Sequence, residues 1–455
     1  MSSSASSTAA LALSVLLCAC AGHSERTLLA RNALDAGDPR GALKALDKEL
    51  DVDSERDLPK KTGGDNALLL LDRAMVLQAL DKYELASRDL EVSDKQIEIL
   101  DFSRNAVADI GKYLFSDDTG PYKAPAYEKL MINTENMMNY LARADLNGAR
   151  VEARRLAVME KFINDKDDPG RGLLGPGSYL AGFTFEKSGN ADEALRHYDE
   201  ALSYGSYTSL KEPIERLSRV ASFRSPRFHA LLGESDKPTD GKPAAMVTAP
   251  VPDADGELLV IVNFGRVPAK VAKRVPIGLA LTYASTFMSP ADQAQANQLA
   301  LQGLVTWVNY PELGHAHGAW GQPSFMLDGH WGGLEGILAV DQETRRAWDD
   351  AKGAIVASAI TRMISRVVAG QVVKKAAGGD VLGTLLSLGT QATLTAVDTP
   401  DTRNWATLPA RIAFGRVRLP PGRHTVVLGA RGFEKKQTVD IAPGGWAVVN
   451  LTALN

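Results

Sequence analysis

Residues 182–201 read GFTFEKSGNADEALRHYDEA, and their spacing decides the fold of the N-terminal half. Gly182, Phe185, Gly189, Ala194, Tyr198 and Ala201 follow one another at offsets of 3, 4, 5, 4 and 3. Residues three or four apart share a helix face, so the pattern predicts two helices joined by a turn at Gly189-Asn190. Gly182 and Ala194 offer almost no side chain where the helix axes would cross, and Tyr198 would fill the groove between them.

Weaker copies of this phase precede it: Ala30, Ala33, Gly37, Ala42 and Leu46, then Ala74, Leu77, Ala86, Leu90 and Ser93 around Asp81-Lys82, then Tyr140, Ala144, Ala149 and Ala153. With Gly182, Phe185, Gly189, Ala194, Tyr198 and Ala201, the set resembles the tetratricopeptide repeat, in which paired helices pack through small residues and a large plug. The equivalent alanines 42, 86, 149 and 194 are 44, 63 and 45 residues apart. A regular array would give about 34, so a degenerate repeat is expected, with an irregular helical bundle as the alternative. In either case each pair must stack on a neighbour to bury its apolar face.

The chain has 455 residues, long for a single core. Its 45% apolar and 23% charged content is that of a globular protein. A net charge of −4, with lysines and arginines scattered, gives no electrostatic reason to expect nucleic acid. Both cysteines lie in the first twenty residues, which leaves the rest of the chain without a thiol nucleophile, disulfide or thiolate metal site.

Those first residues carry the clearest address. An apolar run, Ala9 to Leu17, ends in Leu17-Cys18-Ala19-Cys20. This resembles the signal peptide and lipobox of bacterial lipoproteins; only Cys20 has a leucine three positions before it and a small residue immediately before it. The resemblance implies removal of residues 1–19, acylation (palmitate among the acyl chains) at Cys20, and a membrane anchor on a chain expected in the outer membrane facing the periplasm, since residue 21 is Ala and not Asp. The run has no Lys or Arg before it, so a plain secretory signal is the alternative.

The expected fold is α+β. A tetratricopeptide-like helical domain over 20–232 is followed by a polar, Pro- and Gly-rich linker over 233–256 and a smaller domain over 257–455. In that smaller domain, Leu258 to Phe264 reads as a buried strand, and 411–419, 424–428, 437–441 and 446–451 as strands of a small antiparallel sheet or sandwich separated by Pro/Gly turns. Between them lies a long apolar segment, 345–397, in which Val356, Ile360, Met363, Ile364 and Val367 make one face. It reads as a core helix; a membrane-contacting helix over 353–397 and a transmembrane helix are the alternatives. Following it, 401–409 (DTRNWATLP) reads as a tight corner in which Asp401 caps its own turn and pairs with Arg403. Alternatively Arg403 and Trp405 face a partner, as such anchors do at interfaces.

With 267–277 (VPAKVAKRVPI) and 401–409, the whole layout resembles a family of uncharacterised bacterial envelope lipoproteins containing tetratricopeptide repeats, companions of the lipoproteins that activate penicillin-binding proteins. The resemblance implies a role in cell-wall or outer-membrane assembly, without an assigned chemistry. His315, His317 and His330, with Asp328 and Glu335 nearby, are the only candidate metal ligands, and paired histidines two apart converge only on a strand. No phosphate-binding glycine loop and no Gly-x-Ser-x-Gly elbow occurs. Two function classes remain. One is a non-catalytic scaffold without cofactor, binding envelope proteins through the repeats; the other is a metal-dependent hydrolase using His315, His317 and His330. An oligomeric membrane-associated subunit built on 353–397 is a third.

Overall fold

The structure is a computed structural model that describes residues 23–102, 122, 124, 126–162, 171–233, 254–303, 305–376 and 400–455. It is a mixed α+β protein, with helices in the N-terminal half and sheets in the C-terminal part. Cys20, residues 377–397 of the apolar segment and residues 234–253 of the expected linker lie outside the described residues.

Among the described residues four helical hairpins form the first half: α1 Leu28–Asp35 with α2 Pro39–Glu49, α3 Asp65–Ala79 with α4 Tyr83–Phe102, α5 Ala126–Ala142 with α6 Leu146–Phe162, and α7 Leu174–Lys187 with α8 Ala191–Tyr204, followed by α9 Lys211–Ser218 and α10 Pro226–Leu232. Their turns share one geometry. Gly37, Asp81, Ala144 and Gly189 adopt left-handed φ angles of 73°, 59°, 57° and 79°. The next amide in each donates back five residues: Asp38 to Ala33, Lys82 to Leu77, Asp145 to Tyr140 and Asn190 to Phe185, at 2.8–2.9 Å. This is the closure that ends a helix at a left-handed residue. Five residues past each such residue sit Ala42, Ala86, Ala149 and Ala194; nine past it sit Leu46, Leu90, Ala153 and Tyr198. All eight are fully buried. At Gly182 an added Cβ would run into the Tyr198 ring, which is why the last hairpin pairs no side chain with a large one.

Helix α3 is buried on all sides from Ala67 to Gln78, and α7 from Leu174 to Glu186. Hairpin neighbours alone would leave one face of each helix open. That face is covered by a sheet of order β10-β1-β7-β6, in which β1 is Gly256–Phe264, β6 Glu335–Ala339, β7 Arg411–Leu419 and β10 Trp446–Ala453. The β1 side chains alternate between two cores. Leu259 and Ile261 join the helical core, while Leu258, Val260, Val262 and Phe264 face a second sheet, order β5-β4-β8-β9. Its strands are β4 Ser324–Leu327, β5 His330–Trp331, β8 Gly422–Ala430 and β9 Phe433–Ile441. A strand covered on both faces needs an uninterrupted apolar run, and this accounts for 258–264.

Two expectations change here. The halves read as separate domains share one continuous core, with Leu259, Ile261, Trp405, Ile412, Phe414 and Val448 packed among the hairpins. The terminal strands are not one antiparallel set either. The corner at Pro443-Gly444-Gly445 carries the chain into the other sheet, where β10 runs parallel to β1, with Val260 opposite Val449.

A third lobe packs the hairpin of β2 Lys270–Pro276 and β3 Trp307–Leu313 with α11 Ile277–Ala284 and α12 Pro290–Leu301 against the long helix α13 Val340–Ala376. Val356, Ile360, Met363, Ile364 and Val367 line that core, as the core-helix reading requires. The described part of the apolar segment therefore turns this face to protein, which corrects its reading as a membrane-facing stripe. No helix among the described residues is long and apolar enough to cross a membrane.

Candidate functional site

The chemically dense region is the seam between the hairpin layer and the β10-β1-β7-β6 sheet. On β1 the helix-facing residues are Glu257, Leu259, Ile261 and Asn263, apolar at the centre and polar at both ends. Each polar end finds partners.

At one end Arg416 of β7 extends from the sheet into α7 and α8. Its guanidinium pairs with Glu257, donates to the Tyr198 hydroxyl at 2.9 Å and pairs with Glu186 at 2.8 Å. Lys187 bridges Glu186 and Glu257, and Arg216 adds a pair to Glu186 at 2.7 Å. Burial alone would raise the Glu186 carboxyl; Arg416, Lys187 and Arg216 together hold it well below the usual carboxylate range. The ring of Phe414, two residues along β7, stacks on Tyr179 with centroids 4.7 Å apart.

At the other end Asn263 donates to Glu135 of α5 at 3.0 Å, Gln78 of α3 donates to the same carboxylate at 3.1 Å, and Thr452 of β10 donates to Gln78 at 2.7 Å. Burial pushes the Glu135 carboxyl up from 4.5 to about 7, and the two amide hydrogen bonds limit the rise. A carboxyl that holds its proton more tightly folded than unfolded stabilises fully below the unfolded value and loses that contribution as pH rises. Glu135→Gln keeps the shape and removes the ionisation. By urea titration it should be the more stable protein at pH 8, and its advantage should vanish towards pH 4.5; a pH-independent difference would overturn this.

A clasp, residues 400–410, crosses the hairpins beyond the Asn263 end, where the Ala410 amide donates to the Gly265 carbonyl and the Val267 amide to the Leu408 carbonyl. Asp401 accepts from the Arg403 amide and side chain at 2.8–3.0 Å, and Arg403 reaches Asp65 of α3 at 3.1 Å and lies over the Tyr122 ring. Glu128 of α5 accepts the Trp405 amide at 3.0 Å, and Asp72 of α3 accepts the Thr407 amide at 3.0 Å and its hydroxyl at 2.9 Å. Lys270 donates its ammonium to the Arg403 carbonyl at 2.9 Å, and its amide meets Asn404 Oδ1. Burial raises the Glu128 carboxyl and lowers the Lys270 ammonium. The corner reading of 401–409 fits this geometry. As an outward interface, Arg403 and Trp405 are corrected: both are buried, and the surface they anchor belongs to the same chain. No protein-family model matches this sequence, and no curated protein does.

The histidine set does not converge. His317 pairs with Asp35 of α1 at 3.0 Å, His315 and His330 are exposed, and Asp328 is held by His424 at 2.7 Å. Glu335 accepts the Thr208 and Ser209 amides at 2.8 Å. Among the described residues no three His, Cys, Asp or Glu side chains are grouped to hold a metal. The paired histidines at 315 and 317 fall past the end of β3, off the strand that would have aligned them.

Of the 182–201 phase, Gly182, Phe185, Ala194, Tyr198 and Ala201 are buried between α7 and α8 while Gly189 sits exposed in the turn; Phe185 stacks on His197 at 5.3 Å, and Tyr198 fills the groove at Gly182. Arg416, Glu257 and Glu135 had no sequence signal beyond a charge inside an apolar pattern. The arrangement neutralises charge at short range and fixes two layers in register.

Proposed function

We propose that this chain is a non-catalytic scaffold of the bacterial cell envelope, anchored through acyl groups on Cys20, whose four hairpins are degenerate tetratricopeptide units that bind another envelope protein. The observation that carries the reading is the clasp. Buried carboxylates on α3 and α5, Asp72 and Glu128, take main-chain amides of the corner segment, and stacked helical repeats present a concave surface suited to holding such a segment. Here the inner face is filled by the chain's own residues, so the partner meets what remains. That is an open cleft of about 780 Å³ on the first two hairpins, lined by Arg40, Lys44, Lys48 and Lys82 and by Asp47, Asp51, Asp53 and Glu55. Mixed charge in a cleft favours a polar partner surface of complementary pattern.

Crosslinking in intact envelopes tests this. Wild type should give a discrete partner adduct, and Lys44→Glu/Lys48→Glu, both on the exposed face of α2, should lose it while keeping the wild-type melting temperature. An adduct indifferent to both changes would place the partner elsewhere. The anchor is tested separately: Cys20→Ser should move the protein to the soluble envelope fraction and Cys18→Ser should not. A Cys20→Ser chain that stays with membranes would overturn the lipobox reading.

A further inference from the structure

Residues 275–291 form seventeen consecutive positions without a charged side chain. They run from the end of β2 through α11 to the start of α12, and much of the stretch faces outward. Leu279, Tyr283 and Phe287, spaced by four, form one stripe that keeps 43%, 38% and 54% of its surface exposed. Leu301, at the end of α12, is 90% exposed. Trp307, opposite Pro276 in the β2–β3 ladder and so at the foot of α11, is 40% exposed. A surface helix ordinarily turns charged residues outward, and a contiguous outward apolar stripe marks a contact surface.

The chemistry at its rim selects the occupant. The Arg274 guanidinium lies 5.1 Å from the centre of the Trp307 ring, and the Lys352 ammonium 4.9 Å from that of Tyr283. Arg274 has no carboxylate partner among the described residues. Among the nearby acids, Asp292 accepts from Ser289 at the start of α12, and Glu312 accepts from Tyr310, Trp348 and Lys352. Asp349 and Asp350 of the long helix are exposed. Aliphatic and phenyl side chains with a phenol among them, and an indole and the Arg274 guanidinium at one end, are the side-chain types that meet a bilayer interface, apolar groups to acyl chains and a cation to phosphates. We propose that the α11 face docks on a phospholipid bilayer surface, with Leu279, Phe287 and Leu301 entering the acyl boundary and Arg274 at phosphate level. This is independent of Cys20 and of the partner cleft, so either can fail without the other.

The test uses the full chain with Cys18 and Cys20 replaced by Ser, which removes acylation and leaves no native thiol. Thr286→Cys, exposed beside Phe287, then carries an environment-sensitive fluorophore. Vesicles of phosphatidylcholine with phosphatidylglycerol should shift its emission to the blue. Leu279→Glu/Phe287→Glu should weaken the binding read at residue 286 on the order of a hundredfold, as expected for losing two buried large side chains. Leu279 and Phe287 are 43% and 54% exposed, and the Phe287 ring also rests on Gly353 of the long helix, so thermal unfolding should stay cooperative with at most a small fall in melting temperature. Arg274→Glu should weaken binding to the anionic vesicles and leave binding to pure phosphatidylcholine unchanged. No emission shift with either vesicle would overturn the proposal. So would a shift that appears without vesicles, grows with protein concentration and is accompanied by a dimer in sedimentation velocity, since the stripe would then meet a second copy of the chain.

Discussion

Arg416→Ala should cost about 3 kcal/mol of folding stability, the low end of the range for removing one member of a buried charge cluster, because Lys187 and Arg216 still compensate part of the charge left behind. That is a large share of the roughly 5–15 kcal/mol typical of a folded domain. The Arg416 side chain is 2% exposed, and Glu186 and Glu257 are 3% and 6% exposed. Without the guanidinium, Lys187 still bridges both carboxylates as a point charge, but Arg216 reaches only Glu186, the planar fork is gone and the Tyr198 hydroxyl loses a donor. The pH dependence should change as well. In wild type, Glu186 and Glu257 are both held below their usual carboxylate values, so their stabilisation is present above about 4.5 and is lost as pH falls through the depressed values. In Arg416→Ala the burial contribution is left less opposed, so the gap to wild type should narrow on acidification. Urea unfolding at neutral and acid pH reads both effects. A loss below about 1 kcal/mol would mean the cluster is solvated like a surface pair. Arg416→Lys should recover part of the loss, since it restores charge without the fork.

This cluster also marks where reading the sequence stops. The hairpin phase was legible because helix partners lie within about one turn-to-turn spacing, and the left-handed turn residues Gly37 and Gly189 announce themselves by type. Asp81 was placed at its turn by the spacing around it, whereas Ala144, read as part of a helix face, adopts the same conformation without announcing it. Strands β1 and β7–β10 were legible from apolar runs cut by Pro/Gly turns. Strands β2–β6 were not: β2 exposes Val271 through Arg274 in an unbroken row, and β5 is two residues long. Neither gives the alternation by which a half-buried strand is recognised. Arg416 meets Glu257 across 159 residues and Glu186 across 230. Local spacing carries no information about such pairs, and a buried Arg in a strand reads the same as an exposed one. The clasp was legible in part. Asp401 and Arg403 are two apart, so their pairing is local; Asp65, Asp72 and Glu128, which hold the clasp to the hairpins, are not.

Ile360→Asp should have the other large effect, and it separates packing from propensity. Ile360 is 1% exposed on α13, among Val356, Met363, Ile364 and Val367, and the helix packs against α11, α12 and β3. A carboxylate there would lose both the apolar contact and its hydration, a penalty of several kcal/mol that protonation relieves only in part. The third lobe is small and has its own core, with a two-stranded sheet that is not stable without something apolar behind it. The damage should therefore be local first. Hydrogen exchange should accelerate in β2, β3, α11 and α12, while amides of β1 and of α7, which belong to the other cores, keep their protection. Ser365→Asp, five residues along the same helix on its exposed side, adds the same charge and should leave exchange in the lobe unchanged. If both variants loosened the lobe equally, helix propensity and charge, and not the buried face, would be what holds α13 in place.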